Sequence, residues 1–195
     1  MRPTGLRQKI IDTALVLFER KGFHGVSINE IVEEANTSKG GFYHHFSSKD
    51  ELLFLIHDIF ITYAIERVEE AVLEHDRPTE QLKAVIQRFV HVFDLYKPHL
   101  TVFYQEATYL QPEYKTIIKE KRRKFRLILE DLLDAGKETG EFRADLEVDI
   151  VVMGILGMVN WIYKWYDEDG EKTIEDIAYI FTDFILRGVL TEPSV

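Results

Sequence analysis

Apolar residues recur almost everywhere in this chain at the spacing of an α-helix and nowhere alternate as they do in a half-buried strand. That pattern confines the fold to the all-α class. Ile10, Ile11, Ala14, Leu15 and Phe18 form one stripe, and Gly22 stops the helix that carries it. Ser27 and Glu30 stand at capping-box spacing before a second stripe of Ile28, Ile31, Val32 and Ala35, which Asn36 ends. A third short helix is predicted from about Ser38 to Phe46, with Phe42 and Phe46 one turn apart. Ser48 and Glu51 repeat the capping-box spacing and open an amphipathic run to about His75, roughly 40 Å long. Pro78, Pro98 and Pro112 then divide the chain into helices near 79–96, 99–109 and 112–139. A loop over 140–146 follows, then helices near 147–166 and 174–190, the last opened by Thr173. The count is about nine.

The chain has 195 residues, 46% hydrophobic and 30% charged, which is a globular composition. It has no cysteine, so disulfides, thiolate metal sites and cysteine nucleophiles are excluded together. The longest apolar stretch, Ile150 to Val159, is ten residues, against roughly twenty needed to span a bilayer. The basic N-terminus is not followed by an apolar core, so no signal peptide is expected. A soluble, cytoplasmic protein with no membrane partner follows as the expectation. The net charge of −10 is unevenly placed: residues 1–50 hold seven Lys/Arg against six Asp/Glu, so the acidic excess lies entirely in residues 51–195. Two modules are expected, 1–50 and 51–195, with different partners.

Within the first module, two short helices joined by a tight turn and preceded by a third form a helix-turn-helix candidate. With Phe42 and Phe46 turned inward, Thr37, Gly40, Gly41 and His44 occupy the opposite face, and Lys39 and Tyr43 one flank. Two adjacent helical glycines cost about 1 kcal/mol each relative to Ala, and close approach to a DNA groove is one reason to keep them. Lys39 and Tyr43 suit phosphate oxygens, and Thr37 and His44 suit base edges. The same pattern also fits a helical hairpin whose polar face is merely solvated.

The segment from Ser27 to Leu53, with Ser38-Lys39-Gly40-Gly41-Phe42-Tyr43-His44-His45-Phe46 followed by Lys49-Asp50-Glu51-Leu52, resembles the DNA-binding segment of TetR-family transcriptional regulators. The resemblance covers about residues 7–55. It implies a palindromic double-stranded operator bound by a homodimer. It also implies that Ser27 caps its helix and contacts phosphate. Thr37, Ser38, Lys39, Gly40 and Gly41 would enter the major groove, Tyr43 and His44 would reach backbone or bases, and Lys49 would reach phosphate. Three positions depart from the usual pattern: Asn36 where Gly is typical, Thr37 where an apolar residue is common, and Gly41 where Thr or Ser often stands.

The acidic module carries a helix apolar on nearly all sides, including Val152, Met153, Ile155, Met158, Val159 and Trp161, which should be buried all round. The resemblance implies that this helix and the last one form the dimer interface. The aromatics Tyr63, Phe89, Phe93, Phe103, Tyr104, Tyr109, Phe125 and Trp161, with Met158, suit an elongated apolar ligand cavity, and equally an ordinary core. A basic run from Lys119 to Arg126 places Arg122 and Arg126 on a shared face, either solvated and paired with neighbouring Glu or suited to an anionic head group. Apolar cavity and basic mouth together would fit an acyl-CoA. The segment Gly157–Tyr166 is similar to the acyl-CoA-responsive subgroup of the same family. The function expected is therefore a repressor released by a small hydrophobic inducer, with a drug-sensing repressor as the alternative. A helical adaptor or enzyme is the reading from another class. No nucleophile elbow, phosphate loop or dinucleotide fingerprint is present, so neither catalysis nor a cofactor is expected. His91, His99 and Glu106 match no metal-ligand spacing.

Overall fold

The structure, a computed structural model, describes residues 5–95 and 97–191. Its helices are α1 (Leu6–Lys21), α2 (Ile28–Glu34), α3 (Lys39–His45), α4 (Lys49–Leu73), α5 (Pro78–Leu95) and α6 (Lys97–Gln105). After a 3-10 turn at Ala107–Tyr109 come α7 (Pro112–Glu138), α8 (Val148–Asn160), α9 (Ile162–Trp165) and α10 (Ile174–Val189). The only extended pairing among the described residues is an isolated bridge between Phe142 and Leu190. The fold is all-α. Two of the expected helices divide: 147–166 is interrupted for one residue at Trp161, and 99–109 ends as the 3-10 turn.

The chain forms two compact units. The first holds the described residues of Met1–Ile61 and Tyr96–Lys119, and the second those of Thr62–Leu95 and Glu120–Val195. Beyond residue 50 the first unit therefore takes in the start of α4, all of α6 and the beginning of α7. Its core is the set of stripes read from the sequence: Ile10, Ile11, Ala14, Leu15 and Phe18 of α1 close over Ile31, Val32 and Ala35, and Phe42 and Phe46 are wholly buried. Gly22 ends α1 at φ 71° and ψ 160°, a conformation essentially reserved for glycine, while its N–H donates to Phe18 O at 2.9 Å. Asn36 has φ 49°, the left-handed geometry that asparagine tolerates.

The caps close only partly as their spacing predicts. Ser27 Oγ accepts the Glu30 N–H at 3.2 Å, but the Glu30 carboxylate pairs with Lys21, which holds its pKa below the ordinary value. Ser48 Oγ accepts from Glu51 N–H at 3.0 Å, whereas Glu51 Oε2 turns to the N–H and hydroxyl of Ser47. The Thr173–Asp176 box opening α10 is complete.

In the second unit α10 packs along α5 and buries Ile174, Ile177, Ala178, Thr182, Ile185 and Val189. The expectation that α8 is buried on all sides does not hold within one chain. Val152, Ile155 and Val159 are buried, while Ile150 is 66% exposed and Met153 and Trp161 also face outward. The reason is geometric: the helix meets the rest of its own unit along a single stripe. Val148–Trp165 has a mean hydropathy of 1.3, enough by composition to cross a membrane. Its uninterrupted part, α8, is 13 residues or about 20 Å long, against about 30 Å of hydrocarbon.

Candidate functional site

Helices α2 and α3 and the turn between them build the candidate nucleic-acid interface. Phe42 and Phe46 fix the inner face of α3, their rings 5.4 Å apart, and Arg7 lies over the Phe46 ring. The outer face then carries Lys39, Gly40, Tyr43 and His44, all exposed. Tyr43 stands edge-on to Phe42 at 5.4 Å, and His44 edge-on to His45 at 4.8 Å, so both rings are braced without being covered. The hydroxyl of Ser38 caps α3 by accepting the Gly41 N–H at 3.1 Å. These placements follow from the 3.6-residue period once Phe42 and Phe46 are inside.

Two sequence-derived roles change. Lys49, expected at a phosphate, sits half-buried with its Nζ donating to Phe23 O and Val26 O, both at 2.7 Å, above the Phe23 ring. Burial holds its pKa below the ordinary lysine value. Two of its three protons are committed to the loop between α1 and α2, so its role in the structure is an internal clamp. The pair of glycines also separates. A Cβ at Gly40 would meet nothing nearer than 3.6 Å, whereas one at Gly41 would stand 2.5 Å from Thr37 Oγ1 and 3.4 Å from Leu6 Cδ2. A side chain at position 41 would thus have to displace the Thr37 hydroxyl, while Gly40 stays open outward.

The residues expected around a ligand fall into several groups. Phe89, Phe93 and Phe125 are buried together in the second unit, with ring centroids 5.6 Å (Phe89–Phe93) and 4.7 Å (Phe89–Phe125) apart. Tyr63 lines an open groove of about 520 Å³ between α4 and α5 with Arg67, Glu70, Arg88 and His91, and the Arg67 guanidinium lies over its ring. In the first unit Phe103 meets Phe60 at 4.7 Å, His57 at 5.2 Å and Tyr104 at 5.2 Å. Tyr109 packs there too, 4.2 Å from His24 and stacked on Phe23. Met158 lines a groove of about 370 Å³ between α8 and α10, and Trp161 is exposed, so neither joins the buried phenylalanines. Of the basic run, Lys124 pairs with Glu69 at 2.6 Å, Lys121 donates to Thr62 Oγ1 at 2.7 Å and Arg123 approaches Glu120 at 4.0 Å. Arg126 Nε lies 3.2 Å from Glu130 Oε1, and Arg122 is exposed.

Sequence reasoning passed over His57, which is fully buried with Nδ1 2.9 Å from Leu53 O. Its signal was there: Leu53, Ile56, His57, Phe60 and Ile61 share the helical stripe that faces inward. Glu106, weighed only as a metal ligand, is buried beside Gly22, its Oε1 3.5 Å from where a Cβ would stand. His91 belongs to the second unit, facing Glu175 at 3.8 Å, and His99 and Glu106 belong to the first.

Residues 10–56 match the family described as bacterial regulatory proteins of the tetR family, and residues 75–189 match the tetracyclin repressor-like C-terminal domain. The HTH-type transcriptional repressor KstR2 of Mycobacterium tuberculosis H37Rv is 25% identical over 95% of this chain and 94% of its own length. The solved structure of that ketosteroid regulator superimposes with a TM-score of 0.86 at 25% identity, covering 95% of each chain. The structure of AibR in complex with isovaleryl coenzyme A and operator DNA is similar at a TM-score of 0.82 and 28% identity, over 92% of this chain and 97% of AibR's. The fatty acid metabolism regulator protein of Bacillus subtilis 168 is 23% identical over 93% of the chain and 94% of its own length.

Proposed function

The chain belongs to the TetR family of bacterial regulatory proteins, and from that premise we propose that it is a homodimeric, cytoplasmic repressor released from a palindromic operator by an acyl-CoA. The family consists of DNA-binding transcriptional regulators, not enzymes. The observation that carries operator recognition is the outer face of α3, where Lys39, Tyr43 and His44 are braced and exposed above the buried Phe42 and Phe46. Lys39 supplies a phosphate contact, Tyr43 and His44 backbone or base contacts, and Ser27, Ser38 and Gly40 close approach to the duplex. Two identical heads on a twofold axis read half-sites about 34–36 Å apart or a multiple of that spacing.

The twofold contact is assigned to α8 and α10. Ile150, Met153, Trp161, Tyr179, Ile180 and Phe184 form an outward apolar surface that a lone chain would leave in water. The acyl chain is assigned to the Phe89–Phe93–Phe125 cluster with Tyr63, and the anionic head group to Arg122 and Arg126. AibR's isovaleryl coenzyme A and the fatty-acid name of the Bacillus subtilis relative support that ligand class.

The test of operator recognition is the salt dependence of duplex binding. Against a palindrome selected from random sequence, the wild-type chain should bind with a steep negative slope of log affinity on log salt. Lys39→Ala should weaken binding to all sequences and reduce that slope by about 1 for each phosphate it no longer neutralises in a half-site. An unchanged slope removes the role given to Lys39.

A further inference from the structure

Gly41 and Thr37 are a single device. An ideal Cβ at Gly41 would stand 2.5 Å from Thr37 Oγ1, closer than real Cβ atoms come to a neighbour, and the gap is closed further by Leu6 Cδ2 at 3.4 Å and Ser38 Oγ at 3.7 Å. The Thr37 hydroxyl therefore fills the space that a side chain at position 41 would take, on the half-buried margin of α3 beside Leu6. It gets there because the Thr37 backbone is fixed: its N–H donates to Val32 O at 2.8 Å, just after the left-handed Asn36.

The serine hydroxyls of the same segment are committed. Ser27, Ser38 and Ser48 each accept a backbone N–H as a helix cap, and Ser47 donates to Glu51. Thr37 Oγ1 accepts and donates no hydrogen bond among the described residues, although the residue is only half-buried. A hydroxyl on a fixed backbone, partly exposed and without an internal partner, keeps both its donor and its acceptor capacity for an outside group.

We infer that Thr37 is a specificity-determining residue that reads one base pair of each half-site with its hydroxyl, and that Gly41 is kept without a side chain so that this hydroxyl can lie there. The inference rests on the operator-binding reading.

The test uses the full-length chain and a pool of random-sequence duplexes, with a fixed non-palindromic duplex as reference. Thr37→Val has the same shape without the hydroxyl, and should flatten the preference at one base pair of the half-site by about five- to tenfold, measured relative to the same variant's binding to the reference duplex. Thr37→Ser keeps the hydroxyl and should keep the preference. Gly41→Ala forces the Thr37 side chain aside and should flatten the same base pair as Thr37→Val. Reading the ratio of selected to reference binding separates a missing base readout from a failure to fold. A Thr37→Val profile equal to wild type at every position overturns the inference, as does a Gly41→Ala change at a different base pair. A wild-type chain that enriches no sequence overturns the operator-binding reading and this inference with it.

Discussion

Two carbonyl oxygens at 2.7 Å and the face of the Phe23 ring hold the Lys49 ammonium inside the first unit, although a lysine at the start of a helix beside a DNA-binding motif would suit a phosphate. Hydrogen bonds to a charged group contribute about 1.5–3 kcal/mol each, and orphaned buried carbonyls add to the cost of removing them. Lys49→Met should therefore lower unfolding stability in urea by about 3 kcal/mol or more. A variant of wild-type stability with weakened DNA binding would restore the phosphate role. His99 makes a second residue-level case. Burial disfavours its imidazolium and lowers its pKa from the ordinary 6.5, against an opposing attraction from Asp12. Below pH 6.5 the unfolded chain then binds more protons than the folded one. Stability from this group is present above that pH and is lost as pH falls through the lowered folded value. Replacing His99 by Asn should flatten the stability profile just below pH 6.5 relative to wild type, as read by thermal melting across pH. Identical profiles would show that His99 is not the group responsible.

Among the helices, α8 and α10 differ most from what a lone chain needs. α10 turns Ile177, Ile185 and Val189 inward against its own unit, yet leaves Tyr179 70% and Phe184 68% exposed on the other side. Full burial of such a side chain is worth about 1.5–3 kcal/mol, so two copies meeting through this surface recover several side chains' worth each. Phe184→Glu should lower the mass measured by light scattering at micromolar concentration from dimer to monomer, because it places a carboxylate in an apolar contact. A wild-type monomer under the same conditions would remove the assigned interface. The open backbone at Gly154 and Gly157, where an added Cβ would touch nothing in the chain, lets a second helix approach α8 closely on that side.

For the whole molecule the function is a coupling between two binding events. α4 is continuous over 25 residues, about 38 Å, and contributes residues to both compact units. A ligand can release DNA only if it binds the form with mis-spaced heads more tightly than the DNA-bound form. A differential of about 2.7 kcal/mol gives a hundredfold loss of operator affinity, and by reciprocity the operator weakens ligand binding by the same factor. Long-chain acyl-CoA, free fatty acid and CoA alone, titrated against the operator complex, should release it in that order of effectiveness, acyl-CoA first. Equal release by the free acid removes the role given to Arg122 and Arg126, and no release by any of the three removes the acyl-CoA assignment.

Periodicity alone determined that this is a helical chain with a helix-turn-helix near its start, because which residues of a helix face inward is fixed by a local repeat of 3.6. It placed Phe42 and Phe46 in the core and Tyr43 and His44 outside it. What depends on residues distant in sequence was decided by the tertiary structure. Lys49 reaches carbonyls 23 and 26 positions away, Tyr109 packs on Phe23 and His24, and α8 is covered on one stripe only. The 3.6 repeat put Thr37 and Gly41 on one face, but not the approach of the hydroxyl to position 41, because a glycine states only that a side chain is missing. The atom that fills its place is known once the chain has folded around it.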